Sequence, residues 1–112
     1  MEYNPYGHLR KPLPDYRNEY LPVVPCLAEH GYAIVQFDVP AQGKSDTWTT
    51  DIYSDEERQD AYQMVGWIAD QPWCNGSVGM MGISWGGFNC LQVAALNPPA
   101  LKAVISIAST VD

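Results

Sequence analysis

The chain has 112 residues, 46% of them hydrophobic and 17% charged, a globular composition with length for one core. Six Lys and Arg against thirteen Asp and Glu leave a net charge of −7, which argues against a nucleic-acid partner, since phosphate binding needs a basic surface. No apolar run approaches the ~20 residues of a membrane span, and the N-terminal residues carry neither a basic nor an apolar leader pattern.

Cys26, Cys74 and Cys90 are odd in number, lack C-x-x-C spacing and have no His at metal-ligand spacing. Three reduced thiols in a cytoplasmic protein are the expectation, with no metal site and no disulfide, although a mature secreted chain would read the same.

From Asn4 to Pro25 the chain is rich in Pro, Tyr and charge, which excludes a long regular helix. A short helix is expected near Leu27–His30, stopped by Gly31. Tyr32–Asp38 is apolar and β-prone and predicts a strand buried on both faces. Residues 39–53 read as loop. Ser54-x-x-Glu57 is a capping box opening a helix that Pro72 ends, with Ala61, Met64, Val65 and Ile68 as its core stripe. Its acidic start, Asp55-Glu56-Glu57, suits the helix dipole and is expected to be solvated. Ser77–Ile83 predicts a second strand. A helix to about Asn97 follows, with Phe88, Leu91, Ala94 and Ala95 on one face, and Ala103–Ala108 predicts a last strand. The β-α-β-α-β order means a parallel sheet sandwiched by helices, an α/β fold.

Gly82-Ile83-Ser84-Trp85-Gly86 matches G-x-S-x-G between a predicted strand and a predicted helix. A serine at the tip of so sharp a turn projects its hydroxyl toward both a base and a carbonyl carbon. The tight bend demands small flanking residues. It also sets the backbone N–H of Trp85 at the helix start, where it can stabilise an oxyanion. Ser84 is therefore the candidate nucleophile.

Five segments in order carry a more specific likeness: residues 2–6, 29–33, 71–76, 78–89 and 98–103, above all the block from Gln71 to Asn89. Together they resemble the catalytic domain of the cocaine-esterase/X-Pro dipeptidyl-peptidase family of α/β-hydrolases. The resemblance implies an α/β-hydrolase fold, a partial parallel sheet with flanking helices and a nucleophile elbow. It implies a Ser-His-Asp triad acting on a small ester, an amide or a short peptide, without metal or organic cofactor. Ser84 matches the family nucleophile, Trp85 the backbone oxyanion donor, and Tyr6 the tyrosine whose phenol is the second donor.

The sequence departs from the family at Pro40-Ala41-Gln42-Gly43-Lys44-Ser45, where an arginine and a glycine are replaced, and at Val111-Asp112, where two aspartates are usual. Asp38 reads best as a loop-capping carboxylate and His30 as a helix-end residue. His8 precedes the nucleophile, against the Ser, acid, His order of this fold. Trp48, Trp67 and Trp73 read as packing residues. The family's acid and histidine would lie beyond residue 112. Residues 1–112 are thus expected to be a partial catalytic domain, truncated at both ends, with residues 1–4 ending a strand that sits between the strands at 32–38 and 77–83. The isolated chain is expected to be inactive. The alternative is a non-catalytic small α/β protein that binds a partner through its open sheet.

Overall fold

The computed structural model describes residues 1–5, 23–39 and 53–110. Their elements follow in the order β1 (Glu2–Asn4), α1 (Val23–Glu29), β2 (Gln36–Asp38), α2 (Asp55–Ala69), β3 (Val78–Ile83), α3 (Trp85–Ala95) and β4 (Leu101–Ile107).

β1 pairs in parallel with β2, Tyr3 opposite Phe37, and β3 pairs in parallel with β4, Met80 opposite Val104. The two pairs meet through Met1. Its amino group donates to the Gly79 carbonyl at 2.7 Å, and its carbonyl accepts from the Met81 amide at 3.0 Å. That alternation is the pattern of a parallel pair, so β1 lies between β2 and β3, as expected from the sequence. Asn4 Nδ2 donates to Asp38 Oδ1 at 3.5 Å, so Asp38 ties the ends of two strands.

Two expectations about the strands are corrected. The strand expected over 32–38 is regular only at Gln36–Asp38, because β1 offers just three residues to pair with. Tyr32 instead turns its amide back to the Leu27 carbonyl of α1, and its side chain stands exposed. Nor is the sheet buried on both faces. Val78, Met80 and Gly82 are buried on one face of β3, whereas Gly79 is exposed on the other. On that second face Ile105 and Ile107 of β4 are 57% and 41% exposed. Period-2 alternation, masked in the sequence by apolar residues on both faces, therefore returns in the burial pattern.

α2 forms as its capping box predicts. The Ser54 hydroxyl accepts from the Glu57 amide at 3.2 Å, and Ala61, Val65 and Ile68 are buried one helical turn apart. α3 does not bury the predicted face. Gly86, Gly87, Asn89, Cys90 and Val93 face inward, while Ala95 is exposed and Phe88, Leu91 and Ala94 are half-buried. The rotation is set by the first turn, where two glycines let the helix backbone come down on the strands. The core joins Tyr3 and Val39 to Val65, Met80, Cys90 and Val93. α1 spans Val23–Glu29 rather than 27–30; its Pro25 is in the first turn, where no backbone donor is lost to the helix. His30 Nδ1 donates to the Cys26 carbonyl at 2.7 Å, which satisfies a helix-end acceptor. Trp67 is more exposed than core packing implies, but its ring meets Phe37 edge-on at 6.2 Å. Trp73 is likewise about half exposed. No described helix is long and apolar enough to cross a membrane.

Burial pushes the Cys90 thiol up to about 11 from its ordinary 9.0. Below pH 9 the thiol is neutral in both states and stability is unaffected by it. Above pH 9 the unfolded chain ionises first, so this contribution to stability is lost as pH rises toward 11. In a thiol-labelling time course at pH 8, exposed Cys26 is expected to react first and Cys90 only after denaturation.

Candidate active site

Strand β3 runs into helix α3 through a single residue, Ser84. Its backbone sits at φ 53° and ψ −118°, a conformation that costs a non-glycine residue about 1–3 kcal/mol and needs support. The support is visible. The Ser84 amide donates to the Ile107 carbonyl of β4 at 2.8 Å, and the Ser84 carbonyl accepts from the Phe88 amide of α3 at 3.0 Å. A serine in the N-cap position normally turns its hydroxyl onto the helix. Here the hydroxyl makes no capping bond, and the side chain is exposed. The turn therefore presents the hydroxyl to solvent at the end of a parallel strand.

The glycines explain how the turn closes. A Cβ on Gly82 would lie 2.4 Å from the Gly86 carbonyl oxygen, a backbone atom that cannot step aside. A Cβ on Gly86 would meet only the Tyr3 carbonyl at 3.6 Å and Pro5 Cδ at 3.7 Å, ordinary contacts. The expectation that both flanking residues must be small holds sterically for Gly82 alone. Gly87, outside the five-residue motif, is the second constrained position: its Cβ would stand 2.9 Å from the Ile107 carbonyl and from Ser109 Oγ. Ser106 Oγ donates to the Gly87 carbonyl at 3.0 Å and also pairs with Ser109 Oγ, fastening the helix start to β4.

Trp85 opens α3, and its indole Nε1–H donates to Glu57 Oε2 of α2 at 3.3 Å. The Tyr53 ring meets Trp85 and Phe88 edge-on at 5.8 and 5.4 Å. Glu57 corrects the sequence reading. Asp55 and Glu56 are exposed as expected, but Glu57 is only 1% exposed. As the third residue of α2 it points back toward the cap, where the Tyr53 amide donates to the same Oε2 at 3.2 Å. Beneath the turn, Tyr3 is buried and its hydroxyl has no hydrogen-bond partner among the described residues. Burial first, then the nearby Asp60 and Glu57 carboxyl groups, hold its phenol well above the usual range, so it stays neutral.

Of the sequence candidates, Ser84 and Trp85 come together at the turn, while Tyr6 lies outside the described residues. His8, Trp48, the segment Pro40–Ser45 and Val111-Asp112 lie outside them as well. Pro5, next to Tyr6, is buried and packs near Gly86. Among the described residues no group of three or more His, Cys, Asp or Glu could hold a metal ion.

Parallel strands with helices packed on them are consistent with an α/β-hydrolase-type fold. A family model described as X-Pro dipeptidyl-peptidase (S15 family) matches residues 1–112, and the chain belongs to that family. A Mycobacterium bovis protein carrying a serine-esterase name is 34% identical over 82 residues, covering 73% of this chain and 13% of the relative. The cocaine esterase of a Rhodococcus species is also 34% identical over 82 residues, covering 73% of this chain and 14% of that enzyme. The crystal structure of a CocE/NonD family hydrolase from Staphylococcus aureus superposes with a TM-score of 0.55 at 36% identity, covering 59% of this chain and 12% of that one. The chain thus spans about an eighth of the length of the relatives it matches.

The contacts at the two glycines predict opposite outcomes for one methyl group. Gly82→Ala is expected to destabilise the chain by about 3 kcal/mol or more, because backbone must move. Gly86→Ala should change stability by less than about 1 kcal/mol, as read by urea denaturation.

Proposed function

We propose that residues 1–112 supply the nucleophile and the oxyanion donors of a serine acyl hydrolase. The observation that carries this reading is the exposed Ser84 hydroxyl on a strained turn between β3 and α3, left uncommitted by the helix it precedes. In this reading the turn serves as a nucleophile elbow. Membership of the S15 family and the esterase names of the relatives support it.

In the proposed reaction the Ser84 Oγ attacks the carbonyl carbon of a small ester, an amide or a short peptide. A histidine takes the hydroxyl proton and passes it to the leaving alcohol or amine as the C–O or C–N bond breaks. The Ser84 acyl ester is then hydrolysed by water. Negative charge on the substrate oxygen is met by the Trp85 backbone N–H at the start of α3 and by the Tyr6 phenol. Tyr6 is taken from the family resemblance; Pro5, the described residue before it, packs near Gly86. No metal or organic cofactor takes part in this chemistry. His30 is engaged with the Cys26 carbonyl, and His8 is out of order for a triad of this fold. On the family resemblance, we take the triad acid and histidine from other residues of the complete protein.

A second reading, a non-catalytic α/β protein that binds a partner through its sheet, is favoured by the exposure of Ile105 and Ile107 on β4. The isolated 112 residues separate the two. Aggregation or a broad melt supports the partial hydrolase; a monomer with a sharp cooperative melt supports the second.

Ser84→Ala is expected to lower p-nitrophenyl ester hydrolysis by the complete protein by about 10⁴-fold or more, and Tyr6→Phe to lower kcat by about 10²-fold. Undiminished turnover in Ser84→Ala would remove the nucleophile assignment. The 112 residues alone should show no turnover; burst acylation by the same ester would show that they need no outside histidine.

A further inference from the structure

We propose that Glu57 is a positioning residue that holds the Ser84–Trp85 turn in its reactive geometry through the Trp85 indole. The proposal rests on the reading of Ser84 as nucleophile.

A turn at φ 53° and ψ −118°, as at Ser84, relaxes unless its flanks are held on both sides. The strand side is held by β4 through the Ile107 carbonyl. The helix side begins at Trp85, the residue whose backbone N–H would meet the oxyanion. Its large side chain is the natural lever on that peptide. One end of the lever is fixed by Glu57: Oε2 accepts the indole N–H at 3.3 Å and the Tyr53 amide at 3.2 Å. The ring itself is steadied edge-on by Tyr53, which also meets Phe88. Glu57 is anchored in turn, because its own amide donates to the Ser54 hydroxyl.

A carboxyl group at 1% exposure is costly to bury unless it is bonded. A helix cap alone does not require that burial, since a capping glutamate can work at the surface. The reciprocal arm of an ordinary capping box reaches the N-cap amide; here it reaches one residue farther back, to Tyr53, and shares its oxygen with Trp85. The cap of α2 is thereby joined to the start of α3 by one carboxyl oxygen, across 28 residues of sequence.

The test uses the complete protein and reads kcat and KM separately. Glu57→Leu and Trp85→Phe should each lower kcat by about 10-fold to 100-fold with KM little changed, as expected when a reacting group is misplaced. The double variant should lose no more than the worse single one, because both remove the same bond. Glu57→Gln keeps an acceptor oxygen for both donors and should retain kcat within about 3-fold, a rescue that loss of charge alone would not permit. In ¹⁵N spectra the Trp85 indole proton should be protected from exchange in the parent and Glu57→Gln, and exposed in Glu57→Leu. If Glu57→Leu fails to fold, Trp85→Phe and Glu57→Gln decide. Unchanged kcat in Trp85→Phe, or additive losses in the double variant, overturns the proposal. An inactive Ser84→Ala beside a fully active Trp85→Phe would leave the nucleophile reading standing and remove only the role of Glu57.

Discussion

The described structure turns on one tight contact, the approach of Gly82 to the Gly86 carbonyl across the Ser84 turn. A strand can pass into a helix within a single residue only if the two backbones nearly touch, and here even a methyl group on Gly82 would collide. From that contact follow the positive φ of Ser84, the exposed hydroxyl and the direction in which α3 leaves the sheet. It also explains why α3 turns Gly86, Cys90 and Val93 inward. The first turn is brought down on β1 and β4, and each later residue is carried round from there.

Around this turn the protein combines apolar packing with a few polar ties. Val65, Met80 and Val93 supply a dry core between helices and strands. Ser106 and Ser109 fasten Gly87 to β4 from one side, and Glu57 reaches Trp85 from the other. Hydrogen bonds are directional and lose strength within a few tenths of an ångström. They are therefore suited to fixing a peptide plane, which hydrophobic burial, being non-directional, cannot do. The division of labour is physical: the core holds the elements together, and the polar ties set the angle at which the turn is presented.

The parallel pairing and the element order were legible in the residues, as were the capping box at Ser54 and the place of β1 between its neighbours. The pattern misled where burial depends on what lies across the sheet. A sheet sandwiched by helices would cover Ile105 and Ile107, yet they lie on the open face of β4. Tyr32 and Ile34 are as β-prone as Phe37, but a strand extends only as far as its partner. Glu57 looked like one of three solvated acids because composition cannot distinguish the third from the first two. Helix phase can: Glu57 lies four residues before Ala61 and eight before Val65, on the same buried stripe.

The residues alone specify the serine at the strand-to-helix turn, the family and the parallel α/β class, because each is written in residues close together or in their order along the chain. It took the folded arrangement to show that Gly87 is constrained along with Gly82, that α3 faces inward through Asn89 and Cys90, and that Glu57 is buried against Trp85. These depend on atoms brought together from distant positions, by close packing and by hydrogen bonds whose geometry no local pattern encodes.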